Sequence, residues 1–214
     1  MRSFFLALAI VAATPVLLMA GTGFGVGGGQ KQYNLNNAVG KNSLEFLSDA
    51  PMEHIKGTAD GITGNFKLDA DNLEATTGTI TVAVQSMKTA VAKRDAHMYS
   101  STWLDAEKYP NITFTLGGLK NVKVSADGSK LSAKAQATGT FSLHGQTKQI
   151  TADVSIVFLK ESAETKKRAS GNLVLVTATF NVALADYAIT GKQGVVGNSV
   201  GEVINITTTL FANS

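Results

Sequence analysis

The residues best suited to do chemistry lie in one short run. Arg94, Asp95 and His97 form the only compact polar constellation of the 214-residue chain. A guanidinium and an imidazole this close can donate hydrogen bonds to the polar end of a bound molecule, a task that suits charge-assisted donors. The same groups can instead satisfy one another and pin a helical segment against the rest of the fold, as buried polar groups usually do. Other chemistry finds little material. His54, His97 and His144 are far apart in sequence and the chain has no cysteine, so no zinc site and no cofactor are expected. No Gly-x-Ser-x-Gly elbow marks a nucleophile, and the chain is not expected to be an enzyme.

The elements around this run must position it. Thr89 to Pro110 breaks the surrounding pattern, and the three- and four-residue spacing of Arg94, His97 and Met98 predicts helical turns within Arg94 to Leu104. Elsewhere apolar and polar residues alternate. In Leu131 to Leu143 every second residue is apolar or small, while Ser132, Lys134, Gln136, Thr138, Thr140 and Ser142 form a wholly polar face. Side chains of a strand point to opposite faces in turn, so this strand lies over a core with water behind it. Similar runs occur from Ile62 to Leu68, Ile80 to Val84, Ile112 to Leu116 and Ile150 to Phe158. Leu173 to Leu184, Val203 to Phe211 and the pair Leu44 and Phe46 bring the count to about eight strands. Asp127-Gly128 and His144-Gly145 read as hairpin turns, and Lys160 to Arg168 as a solvated loop. The expectation is an all-β fold, one antiparallel barrel of about eight strands with a short helical segment across one end.

Four successive inward positions of one strand, Ala133, Ala135, Ala137 and Gly139, are small, which predicts a hollow interior able to hold an apolar molecule. Phe66, Ile80, Val82, Val84, Phe114 and Phe141, with Ala133, Ala135 and Ala137, are the candidate wall of that hollow. Met87, Met98, Trp103 and Leu104, with Phe114 again, are the candidates for an adaptable portal, and Arg94 and His97 for its polar rim. The competing expectation is ordinary packing, with Phe66, Phe114 or Phe158 crossing the barrel and filling it.

Composition sets the frame. Hydrophobic residues make up 44% and charged residues 16%, enough to bury a core, and no Lys/Arg block suggests a nucleic-acid partner. Arg2 followed by the apolar stretch Phe4 to Ala20 reads as an export signal, with an uncleaved anchor as the alternative. Residues 1–20 are therefore assigned to the signal, 21–31 to a glycine-rich flexible linker and 32–214 to the barrel domain, with no stable membrane span after cleavage. The linker's glycines precede no apolar helix and do not read as a dinucleotide site.

Arg94-Asp95-Ala96-His97-Met98, then Trp103-Leu104-Asp105, Tyr109-Pro110 and Ile112-Thr113-Phe114 resemble the signature segment of the YceI-like family of exported lipid-binding proteins. The glycine-rich strand Gly57 to Leu68, the turn region Thr140 to Thr147 and the closing Asp186-Tyr187-Ala188-Ile189 are similar too, so the likeness spans about residues 32 to 211. It implies a lipocalin-like barrel whose interior takes up an isoprenoid or other lipid in the bacterial periplasm, for transport or storage. Two positions depart from the family pattern: Leu184 stands where many members carry arginine, and Ala188 where glycine is common. Two rival readings are an outer-membrane barrel, against which the low aromatic content argues, and a structural or adhesive exported β-protein with a filled core and no ligand.

Overall fold

The computed structural model describes residues 17–19, 22–128 and 130–214, so most of the apolar run Phe4 to Ala20 lies outside it. The strands are β1 (Leu17–Met19), β2 (Gln30–Leu35), β3 (Ser43–Asp49), β4 (His54–Ala59), β5 (Ile62–Asp69), β6 (Asn72–Ala83) and β7 (Met87–Lys88). The helix α1 (Ala92–Tyr99) follows, and then β8 (Asn111–Asp127), β9 (Lys130–Leu143), β10 (Gln146–Leu159), β11 (Leu173–Ala183) and β12 (Val203–Asn213).

Pairing reduces these pieces to an eight-stranded up-and-down barrel. β2 and β3 behave as one interrupted strand, because both run antiparallel to β12, through Leu35 with Ala212 and Leu44 with Thr208. β4 and β5 form the second, paired with β3 and β2 in turn, and β6 continues through a 3₁₀ turn into β7 as the third. β8 to β11 follow in order and β12 closes the ring onto the first strand. Eight strands enclose an interior just wide enough for side chains or one small ligand. β1 lies against β8 at Val124 to Ala126.

The alternation in β9 works as expected. Ala133, Ala135, Ala137, Phe141 and Leu143 are buried, Lys134 is exposed, and Ser132 and Gln136 are intermediate. His144 and Gly145 carry φ of 51° and 74°, which allows the two-residue turn that joins Leu143 to Gln146.

The two ends of the barrel differ. At the closed end Tyr33, Leu73 and Phe158 are completely buried, and Phe24 is 2% exposed with its ring centroid 5.3 Å from that of Phe158. Phe24 belongs to the glycine-rich run expected as a flexible linker, so that run is in part a structural piece of the barrel. The Leu73 amide donates to the Thr22 carbonyl at 2.8 Å and the Gly27 amide to Asp71 at 3.1 Å. A Cβ on Gly23 would lie 2.1 Å from the Asp71 backbone, so only glycine permits this close approach. At the open end lie the β3–β4 turn, the segment carrying α1, and the connection between β11 and β12.

Candidate ligand-binding site

The upper half of the barrel encloses a cavity of about 670 Å³, within the usual range of roughly 300 to 1,000 Å³ for small-molecule sites. The strands build its wall from alternate residues, among them Ile80 and Val82 on β6, Phe114 on β8, Ala137 and Phe141 on β9, and Phe66 at its base on β5. Phe141 meets Phe180 and Tyr187 edge-on, with centroids 5.5 and 5.6 Å apart. Met87, Met98, Trp103 and Leu104 also line the cavity.

Three of the expected wall residues lie elsewhere. Val84 is buried, but it sits in the 3₁₀ turn after β6, where its amide donates to the Pro110 carbonyl, and it does not line the cavity. Ala133 and Ala135 point inward but belong to the filled half, in one cluster with Phe24, Tyr33 and Phe158. The small residues there make room for aromatic rings rather than for a hollow. Gly139 has the same explanation: a Cβ there would come 3.0 Å from the ring of Phe114 and 2.2 Å from the Thr115 carbonyl. Of those four small positions only Ala137 lines the cavity.

Glu53 from the β3–β4 turn and Lys93 and Arg94 from α1, the charged groups of the lining, sit together at the mouth with the His97 imidazole. None of the eight α1 residues is fully buried; Met98 and Tyr99 pack against the apolar cluster and polar ties fix the rest of the helix. Arg94 pairs with Glu53 across the mouth, and its Nε donates to Thr89 Oγ1 at 3.0 Å. The Asp95 carboxylate accepts from the Thr89 amide at 2.8 Å and from its hydroxyl at 2.6 Å. The Tyr99 hydroxyl donates to the Met87 carbonyl, and burial, with the Asp95 charge adding, pushes its pKa above the ordinary value. Arg94 and Asp95 thus hold the helix in place, whereas His97 is exposed at the rim.

The sequence reading missed the connection from Leu184 to Glu202. Leu184, Ile189, Val195 and Val200 line the cavity, and a Cβ on Gly191 would lie 2.5 Å from the Trp103 ring, so this connection and the α1 segment form one packed rim. No periodic signal marks the loop part of it. Leu184, at the position where arginine is usual, is 6% exposed and adds carbon to the wall rather than charge.

The other histidines have separate partners. His54 pairs with Asp49, and His144 Nδ1 lies 2.9 Å from the Tyr187 carbonyl. Among the described residues no three His, Asp or Glu side chains gather as a metal site, and no helix is long and apolar enough to cross a membrane.

Comparison with known proteins agrees with this architecture. Over 150 residues the chain is 29% identical to Protein YceI of Escherichia coli, covering 70% of this chain and 71% of that one. A UPF0312 protein of Vibrio vulnificus is 29% identical over 175 residues, 80% of this chain and 87% of its own. Burkholderia cenocepacia BcnA superposes with a TM-score of 0.64 at 16% identity, over 84% of this chain and 99% of that one. A polyisoprenoid binding domain from Saccharophagus degradans, implicated in plant cell wall breakdown, gives 0.58 at 16% identity, over 85% of this chain and 98% of its own. At these identities the solved structures establish a shared fold. The YceI-like domain family matches residues 33–212, nearly the whole barrel, and the chain belongs to that family.

Proposed function

We propose that this protein is an exported, non-enzymatic carrier that holds one long-chain apolar or amphiphilic molecule, an isoprenoid or other lipid, and transports or stores it in the periplasm. One observation carries the reading: the cavity wall is predominantly apolar along its depth and charged only at the mouth, the polarity profile of a molecule with a hydrocarbon tail and a polar head. An apolar hollow of this size is poorly solvated when empty. An occupant fills it. Lys93 and Arg94 outnumber Glu53 at the rim, which favours an anionic head group there. The polyisoprenoid-binding activity named for the Saccharophagus degradans relative supports the same class of ligand, and the apolar run behind Arg2 supports export.

The test is native mass spectrometry of protein purified from its own cell envelope, followed by extraction of whatever is bound. Adducts that release a lipid or isoprenoid are the expected result. A protein that is always found at its bare mass, and that takes up no lipid when lipid is offered, would favour a structural role instead.

A further inference from the structure

The exposed apolar side chains of the barrel gather at its open end. Among the described residues four large ones are exposed: Leu47, Met52, Val91 and Val203. Leu47 stands two residues before the end of β3, Met52 in the β3–β4 turn, Val91 directly before α1 and Val203 at the start of β12. All four positions belong to the end where the cavity opens, and none to the end filled by Phe24 and Phe158. Apolar residues scattered singly over a surface need no explanation, but a set gathered around one opening marks a contact.

Two of the four stand at the lip itself. Met52 is 78% exposed, and its amide donates to the Asn198 carbonyl at 2.9 Å, next to Ser199 and Val200 of the cavity lining. Val91 is 45% exposed and also lines the cavity, so it borders both the hollow and the solvent. The Arg94–Glu53 pair joins the two segments and brings Met52 and Val91 to one stretch of the rim. Lys88 and Lys93 flank Val91, are exposed and have no ion-pair partner among the described residues, whereas Glu53 is taken up by Arg94 and the nearby Asp49 by His54. The rest of the rim is different. From Ser100 to Pro110 and from Leu184 to Glu202 it carries Asp105, Glu107, Asp186 and Glu202 against Lys108 and Lys192, with no exposed large apolar side chain.

We infer that the stretch of lip bearing Met52 and Val91 docks on an anionic lipid bilayer. The two apolar side chains enter the head-group layer, Lys88 and Lys93 meet its phosphates, and the cavity opens against the leaflet that supplies or receives the cargo. Binding of this kind combines buried apolar area with attraction to anionic lipid, the two properties this stretch has and the acidic remainder of the rim lacks. The inference rests on the carrier reading, since a lipid cargo gives such docking its purpose.

The experiment mixes the purified protein with vesicles of phosphatidylethanolamine and phosphatidylglycerol, or of phosphatidylcholine alone, and measures the share that floats with the vesicles. Flotation should be stronger on the anionic vesicles. Met52→Asp and Val91→Asp should each lower it about fivefold or more, and Lys88→Gln with Lys93→Gln about tenfold or more on the anionic vesicles only. These side chains are exposed, so the melting temperatures should hold. Because the chain has no cysteine, one environment-sensitive dye can be placed at Met52→Cys, or at Ser170→Cys in the β10–β11 connection of the closed end as a control. Vesicles should shift the emission of the first dye to the blue and leave the second unchanged. Equal flotation on the two kinds of vesicle, Met52 and Val91 variants that float like wild type, or equal dye shifts at the two ends overturns the docking. Protein that retains a lipid in native mass spectrometry yet floats with neither vesicle overturns the docking alone and leaves the lip to a protein partner. Protein that floats but never retains a lipid keeps the contact and loses the carrier reading.

Discussion

Arg94 on the first turns of α1 pairs with Glu53 in the β3–β4 turn, so the helix is tied across the opening of the barrel to a residue 41 positions earlier. The side chains are 28% and 46% exposed, so the pair is partly screened by water and its contribution to global stability is small, about 1 kcal/mol or less. Its effect is local. Glu53→Gln should leave the melting temperature nearly unchanged while speeding amide exchange in α1 and raising the dissociation rate of bound lipid several-fold. Hydrogen-exchange mass spectrometry and a lipid-transfer assay check this, and unchanged exchange in α1 counts against a latch.

Asp95 should matter more to stability than Arg94 or Glu53. Its carboxylate satisfies both the amide and the hydroxyl of Thr89, which is only 7% exposed. Asp95→Ala leaves buried donors unpaired at an expected cost of about 1 to 3 kcal/mol, readable as a shift in the urea midpoint. A loss no larger than that of Glu53→Gln contradicts the assignment.

Two neighbouring alanines on β9 should respond in opposite ways. Ala135 and Ala137 both belong to the packed cluster, but Ala135 does not line the cavity, so Ala135→Phe overpacks its surroundings and should cost about 1 to 3 kcal/mol. Ala137 faces the cavity, where a larger ring enters free space. Ala137→Phe should therefore keep the melting temperature and lower the amount of lipid bound. Similar stability losses in the two variants would place the cavity boundary elsewhere.

Ala188 has φ of 54°, the left-handed conformation that L side chains pay to adopt, at the position where the family commonly has glycine. Ala188→Gly should raise stability by about 1 kcal/mol, measured by thermal unfolding. A destabilised variant would show that the Ala188 methyl packs more usefully than its backbone is strained.

Glu161 reports on the closed end through pH. Its carboxylate accepts from the Gly171 amide at 2.6 Å and pairs with Lys166 at 3.1 Å, and these two partners, in that order, hold its pKa below the ordinary value near 4.5. Because the folded-state value is the lower one, the tie is fully present above the ordinary value and is lost as pH falls through the folded one. The Gly171 amide resonance should titrate at a pH below 4.5. A resonance that moves only at or above that value would mean the carboxylate is not held.

Much of this was legible from residue order, and the parts that were not share a cause. Period-two alternation located β9 and β10 with the correct inward face, and the break at Thr89 located α1, because both signals are local. Whether an inward alanine faces a void or a ring depends on what arrives from across the barrel. Ala133 and Ala135 belong to the packed cluster that holds Phe24 and Tyr33 and do not line the cavity. Phe24 itself was hidden among glycines whose close approach to Asp71 has no counterpart in the local pattern. Val84 failed because a strand pattern does not announce its own end. Glu53 gave no signal at all, since one acidic residue in a turn looks like any other.

The ring is closed by its first and last strands, with Leu44 and Thr208 paired roughly 160 positions apart, a span whose closure entropy grows as (3/2)RT ln n. All the other strand pairings of the ring join neighbours along the chain and can form progressively as it lengthens. The final seam cannot. Until β12 is available, the meander is an open curved sheet with two bare edges and an uncovered apolar concavity, the condition most prone to edge-to-edge association. Formation of this seam is thus expected to limit the folding rate, and a chain shortened before Val203 should aggregate rather than fold into a smaller barrel.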